Sequence, residues 1–185
     1  PRVSLSVSAT SIAENAGSSL TLTATLSKTA AEDVTVTFAT SSSATEGTDY
    51  GSLSNITVSA GATTGTTTFT PTDDSIYDAA SNETAVIAID TVSGGDALES
   101  GNQSVTITIT DNESAPTVTL TRSASAIDEN STSTVTLTAT LSVATFQDVT
   151  VTIGASGGTE GTDYATISDI TISAGSTTGT ASLDP

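Results

Sequence analysis

The heptapeptide TLTATLS occupies residues 21–27 and occurs again at residues 136–142. In both copies apolar residues alternate with threonine, the period-two pattern of a strand with one buried and one exposed face. Other peptides recur in the same order at an offset of 115 and then 114 residues: DVTVT at 33–37 and 148–152, TEGTDY at 45–50 and 159–164, and SAG with TTGT at 59–66 and 173–180. The chain therefore contains a repeat of about 115 residues, the usual size of one β-sandwich domain.

The same alternation predicts seven short strands in the first copy, separated by turns rich in Gly, Asn, Asp and Ser. No window has a sustained helical period, so we expect an all-β protein built from tandem immunoglobulin-like antiparallel β-sandwiches. The predicted domains are residues 1–115 and 116–185. The second sandwich is incomplete in this chain, because Pro185 aligns with Pro71 and nothing matches residues 72–113. Either the chain stops within that domain or another segment completes it.

The composition excludes several classes of function. The chain has 21 acidic and 3 basic residues, a formal net charge of −18, and neither His nor Cys. It therefore has no basic surface for nucleic acid or anionic lipid, and no residues for a Ser-His-Asp triad or an imidazole or thiolate zinc site. No apolar run is long enough to insert in a membrane. We expect no enzyme activity, and we expect the chain to be an internal piece of a longer protein.

The acidic residues of the first copy lie in loops and not within the predicted strands. In an alternating sandwich most of these loops lie at one end, so their carboxylates should converge there. Two charges about 5 Å apart repel by roughly 3 kcal/mol at an effective dielectric constant near 20. A divalent cation with six to eight oxygen ligands would replace this repulsion with cross-links.

In their order and spacing, these motifs resemble those of Calx-β domains, calcium-binding sandwiches of sodium/calcium exchangers that also recur in bacterial surface adhesins. The matching motifs are IAENAG at 12–17, GTDY at 47–50, FTP at 69–71, DDSIYD at 73–78, Glu83 and ITDNE at 109–113. The resemblance implies Ca²⁺ as the cofactor and implies these ligands in the first copy: Glu14, Asp49, Asp73, Asp74, Asp78, Glu83, Asp111 and Glu113.

This sequence departs from the family pattern at three places. Ser75 and Asn112 stand where the family has acidic residues, and two extra residues are inserted between Asp78 and Glu83. We therefore expect one to three ions. The second copy keeps Glu129 and Asp163 as candidate ligands but lacks the other acidic loops.

The resemblance and the composition together predict a calcium-stiffened extender module of a secreted or surface-anchored bacterial adhesin or filament. The expected location is extracellular or the cell surface. Its partners would be neighbouring repeats of the same protein, and self-assembly is left open. Two alternatives stay open: a calcium-dependent module that binds a glycan or protein, and a regulatory calcium sensor. The alternative to a metal site is that the acidic loops form a solvated surface that only keeps the protein soluble.

Overall fold

The computed structural model describes residues 1–41, 43–78 and 83–185, and this part of the chain contains strands and no helix. In that part, accordingly, no helix is long and apolar enough to cross a membrane. The strands are β1 Arg2–Val7, β2 Ser11–Ala13, β3 Leu20–Leu26, β4 Val34–Ser41, β5 Ile56–Val58, β6 Thr64–Phe69, β7 Ile76–Tyr77, β8 Glu83–Ser93, β9 Leu98–Glu99, β10 Ser104–Thr110, β11 Val118–Arg122, β12 Val135–Leu141, β13 Ala144–Thr145, β14 Val149–Val151, β15 Ile170–Ile172 and β16 Thr178–Leu183.

The chain divides into two compact units. The first unit comprises Pro1–Asp74 and Ser81–Asn112, and the second comprises Ser75–Ala80 and Glu113–Pro185. The short segment 75–80 is thus grouped with the second unit, although it lies inside the first repeat. The domain boundary predicted at residue 115 marks the end of the first repeated sequence. It is not the same as the division into compact units, and it stays a prediction.

The first unit is a two-sheet sandwich, which confirms the predicted all-β fold. One sheet has the strand order β6-β3-β1-β9 and the other has the order β2-β10-β8-β4-β5. The long pairings are antiparallel, whereas the short edge strands β9 and β2 pair in parallel with β1 and β10. The structure adds these two edge strands to the predicted set, because two- and three-residue strands leave no readable alternation.

The core of the first unit follows directly from the alternation. Inward residues of both sheets, including Leu22, Val36 and Ile107, are fully buried, while the threonines between them stay at least partly exposed. Tyr50 and Phe69 are the largest buried side chains, and their rings stack with centroids 4.6 Å apart. Tyr50 is therefore a core residue at the edge of an acidic loop.

The second unit repeats part of this architecture. Strands β11, β12 and β16 form one sheet with the pairings of β1, β3 and β6, and β14 pairs with β15 as β4 pairs with β5. Its small core contains Ala139, Leu141, Ile170 and Ile172. Within the same unit, β7 pairs in parallel with β13.

Candidate metal centre

The parallel pairing of β2 and β10 sets the position of two predicted ligands. Ile12 lies opposite Ile109 and Ala13 lies opposite Thr110. The Glu14 amide continues the ladder by donating to the Thr110 carbonyl at 3.1 Å. Because parallel strands end at the same edge, the residues that follow them, Glu14 and Asp111, leave the sheet side by side.

Three predicted ligands meet at this edge, and we call Glu14, Asp111 and Glu113 the carboxylate cluster. Each offers one carboxylate oxygen, and these oxygens all lie within 4.8 Å of one another. All three side chains are half-buried, and the Asn112 amide donates to Glu14 Oε1 at 3.2 Å. Each pair of charges at this separation repels by roughly 3 kcal/mol at an effective dielectric constant of about 20.

The donor set of the carboxylate cluster fits a hard divalent cation. All of its ligand atoms are carboxylate oxygens, and neither nitrogen nor sulfur is present. Such a donor set suits Ca²⁺ or Mg²⁺ and disfavours softer transition metals. In the described part of the chain, this is the one group of three or more acidic residues with such spacing.

Glu83 begins β8 on the other side of β10 from Glu14. It lies opposite Ile109 in the antiparallel ladder, two residues before Asp111 in the neighbouring strand. Its register therefore places it at the same edge of the sheet. It is not a member of the carboxylate cluster.

Asp73 lies near Glu14. The two residues line one cavity of about 190 Å³, together with Gly17, Thr70 and Pro71 among others. Asp73 itself is exposed. Two carboxylates line this cavity. Glu14 belongs to the cluster, and Asp73 does not.

The backbone of Asp49 is bonded to the segment just before Asp73, whereas its side chain closes a local turn. The Asp49 carbonyl accepts a hydrogen bond from the Thr72 amide at 2.9 Å, which ties the loop to the segment before Asp73. Asp49 Oδ2 accepts from the Thr45 amide at 2.6 Å and so closes the 45–49 turn. Asp163 repeats this contact, accepting from the Thr159 amide at 2.7 Å. The recurring aspartate of TEGTDY thus stabilises a turn in both copies.

The remaining predicted ligands are not members of the cluster. Asp74 is exposed, and Asp78 belongs to the second unit, where it lines a cavity of about 160 Å³ with Tyr77 and Phe146. The insertion expected after Asp78 falls at residues 79–82, which lie outside the described residues. Glu129 is exposed in the second unit, and among the described residues it belongs to no group of acidic residues with the spacing of the cluster.

The turn-closing role of Asp49 and Asp163 was not predicted from the sequence. A signal was available, because TEGTDY recurs in the second copy, where most of the acidic loops are absent. A residue kept without the other proposed ligands is more simply explained by a local role. The side chain of Glu46 has a similar local task, since its Oε1 accepts from the Leu53 amide at 3.1 Å.

Tyr50 is the titratable group whose environment is clearly perturbed in this region. Burial raises the pKa of its phenol above the ordinary value of 10.0, and the nearby carboxylates of Glu46 and Asp49 raise it further. A side-chain hydrogen bond with Thr40 acts in the opposite direction. The neutral phenol is therefore the form that the folded first unit favours.

Comparison with known proteins gives structural likeness only. No family description matches the chain, and no curated protein matches it. Among solved structures, the apo form of the Calx CBD1 domain is 17% identical, with a TM-score of 0.47, covering 61% of this chain and all of that one. The calcium-binding domain pair CBD12 of CALX1.1 is 18% identical, with a TM-score of 0.48, covering 97% of this chain and 74% of that one.

A two-domain protein of unknown function from Bacteroides fragilis is 9% identical, with a TM-score of 0.44, covering 81% of this chain and 68% of that one. All these TM-scores fall below 0.5, and all these identities are below 25%.

Proposed function

We propose that the chain is a calcium-binding structural module, an extender repeat of a secreted or surface-anchored bacterial adhesin or filament. The observation that carries the proposal is the carboxylate cluster, in which three carboxylate oxygens lie within 4.8 Å of one another where the first repeat ends. Three like charges do not gather at this spacing without a cost in stability. A bound divalent cation would turn that cost into a cross-link.

The cross-link would join two parts of the chain that are far apart in sequence. Glu14 follows β2 near the beginning of the repeat, whereas Asp111 and Glu113 follow β10 at its end. Only Ser114 and Ala115 separate Glu113 from Pro116, where the second repeat begins. A cation held by these residues would restrict the backbone just before the next repeat and so would stiffen the chain.

Calcium is the proposed ion because of the setting and the ligands. An acidic chain without Cys suits the outside of a cell, where calcium is abundant and no disulfide is needed if a metal supplies the cross-link. Calcium accepts six to eight oxygen ligands in irregular geometry, so backbone oxygens, water or Asp73 would complete its shell. Magnesium demands a stricter octahedron and gives up water reluctantly.

Thermal melts with Ca²⁺ and with EDTA test the calcium part of the proposal. We expect the first unit to melt at a clearly higher temperature in millimolar Ca²⁺ than in EDTA, and Mg²⁺ to restore little of the difference. A melting temperature that does not respond to the chelator would contradict the proposal.

Small-angle X-ray scattering of the whole chain tests the stiffening separately. We expect chelation to broaden the pair-distance distribution, since the segment before Pro116 loses its cross-link. An unchanged distribution, with calcium binding demonstrated by another method, would contradict the extender role and leave the ion site intact.

A further inference from the structure

Strand β13 of the second repeat pairs with a segment of the first repeat. The two strands are parallel, and Ala144 lies opposite Ile76. Thr145 lies opposite Tyr77, and the Phe146 amide extends the ladder by donating to the Tyr77 carbonyl at 3.2 Å. The loop between β6 and β8 therefore supplies a short strand to an edge that belongs to the other repeat.

Residues 28–33 of the first repeat align with residues 143–148 and form the equivalent loop. Ala30 and Thr145, the third residue of each loop, are both buried, with exposed fractions of 7% and 6%. Two hydrogen bonds hold each loop, one accepted by the carbonyl of the third residue and one by the carboxylate of the sixth. They are Gly61 to Ala30 at 2.9 Å and Ala60 to Asp33 at 2.8 Å in the first repeat, and Gly175 to Thr145 and Ala174 to Asp148, both at 2.8 Å, in the second. The two repeats therefore hold the same backbone edge in the same way.

The corresponding edge of the first unit is open. Among the described strands, none pairs with residues 28–31. The Ala31 amide, which is the counterpart of the Phe146 amide, donates to no backbone carbonyl within the described part of the chain. This segment lines an open cavity of about 520 Å³, with Gly95 and Asp96 among others. The edge therefore has both the donor and the room for an added strand.

Lys28 gives this edge a positive charge. It is one of three basic residues in a chain with a net charge of −18, and it is exposed. Lys28 aligns with Val143, the residue before Ala144, and the register of the second unit, continued by one residue, places this position opposite Ser75. Two aspartates, at 73 and 74, come directly before Ser75 in the sequence. A segment of this kind would therefore bring two negative charges close to Lys28.

We propose that residues 28–31 are an acceptor for an extended segment of the type of residues 73–77, supplied by another repeat of the same kind. The isoleucine of this segment lies opposite Thr29, its tyrosine lies opposite Ala30, and its paired aspartates lie beside the lysine. The Ala31 amide donates to the carbonyl of the tyrosine. Main-chain hydrogen bonds supply the affinity, as in other cases of strand addition, and the charges and side chains set the register.

The second unit supplies the argument for this partner. There, Ile76 and Tyr77 are half-buried on the equivalent edge. Asp78 shares a cavity with Gln147 in the second unit, and Glu32 takes the place of Gln147 in the first. A carboxylate at the position of Asp78 is therefore disfavoured, and Asp78→Asn in the segment should strengthen docking. The acceptor contains no member of the carboxylate cluster, so the proposal does not depend on the calcium site.

The test uses the full chain with a second copy of residues 1–115 added directly before its first residue. The last two residues of the copy, Ser and Ala, then precede a proline, as they do between the two repeats. The chain contains no Cys, so an introduced cysteine pair reports this contact alone. We expect Ile76→Cys of the added copy and Thr29→Cys to form a disulfide under mild oxidation in EDTA. In the extended chain without cysteines, we expect hydrogen exchange of the Ala31 amide to slow about fivefold or more relative to the unextended chain.

Three matched variants serve as controls. Ile76→Cys with Ala144→Cys in the unextended chain is the positive control, because these residues already lie opposite each other. Thr66→Cys, at an exposed position of β6, replaces Thr29→Cys as the negative control and should form no disulfide with the added copy. Lys28→Glu should lower the yield of the Thr29 disulfide about threefold, since it turns an attraction into a repulsion.

Three results would overturn the proposal. The first is the absence of a disulfide at Thr29 while the control pair at 76 and 144 forms one. The second is equal exchange of the Ala31 amide in the extended and unextended chains, with the first unit folded in both. The third is a disulfide at Thr66 as abundant as that at Thr29, because the contact would then be non-specific.

Discussion

Replacement of Glu14 by Gln should change the stability of the first unit in opposite directions with and without calcium. Glutamine keeps the shape of the side chain and the oxygen that accepts the Asn112 hydrogen bond. It removes one charge from the carboxylate cluster, where the oxygens lie within 4.8 Å of one another. The substitution therefore isolates the charge from the packing.

The magnitude follows from the two repulsions that Glu14 makes in the cluster. Each is roughly 3 kcal/mol at an effective dielectric constant of about 20, and the half-exposed setting and salt reduce the measurable part. We expect Glu14→Gln to stabilise the unit by roughly 1–3 kcal/mol in EDTA. At about 4–8 °C per kcal/mol for a unit of this size, the melting temperature should rise by roughly 5–20 °C.

In saturating calcium the unmodified chain should be more stable than the Glu14→Gln variant. A ligand present at 1,000 times its dissociation constant stabilises the folded state by about 4.1 kcal/mol, which exceeds the roughly 1–3 kcal/mol that the variant gains in EDTA, and the variant should lose most of that calcium stabilisation. Differential scanning calorimetry of both proteins in EDTA and in millimolar Ca²⁺ measures the four melting temperatures. Glu32→Gln, an exposed residue outside the cluster, is the control for the change in net charge.

A shift of the melting temperature by the same amount and sign in both solutions would show that Glu14 does not bind calcium. If Glu32→Gln reproduced the crossover, the effect would belong to the overall charge of −18 and not to the cluster.

Three other predictions concern the residues around the site. Because folding raises the pKa of Tyr50, the phenol stabilises the folded state fully below its unfolded pKa of about 10. This stabilisation is lost as the pH rises through the pKa of the folded state. Tyr50→Phe should therefore flatten the fall in melting temperature measured between about pH 9.5 and 11. Asp49→Ala should lower the stability measured by urea unfolding by about 1–2 kcal/mol with little effect on calcium affinity by calorimetry, because its carboxylate closes a turn. Gly65→Ala should cost about 1–3 kcal/mol in the same urea measurement, since a Cβ there would lie 2.5 Å from the Thr57 carbonyl oxygen, whereas Gly154→Ala meets nothing within 4 Å and should not.

The fold could be predicted from the sequence because the alternation of apolar residues and threonine shows which face of each strand is buried. The TLTATLS peptides place Leu22 and Ala24 inward, and both are fully buried in the structure. The short parallel strands could not be predicted, since three residues such as Ser11–Ala13 carry too little pattern. Yet β2 is the element that sets Glu14 beside Asp111, so the site depends on a strand that the sequence did not reveal.

The site was predicted only in part for a related reason. Loops that share one end of a sandwich indicated which carboxylates converge, and Glu14, Asp111 and Glu113 do so. The position of Asp78 could not be foreseen, because it depends on the pairing of Ile76–Tyr77 with Ala144–Thr145, a two-residue contact between distant parts of the sequence. The side chain of Asp49 accepts a local hydrogen bond that the sequence did not indicate, and its role as a metal ligand stays a prediction.

Isothermal titration of the whole chain with Ca²⁺ tests the central claim most directly, that the carboxylate cluster is a calcium site. We predict at least one ion bound per chain, with an affinity that millimolar calcium saturates. The same titration of a variant with Glu14→Gln, Asp111→Asn and Glu113→Gln should show that binding lost. Unchanged stoichiometry and affinity in that variant, with its fold retained by circular dichroism, would contradict the account, as would the absence of binding to the unmodified chain.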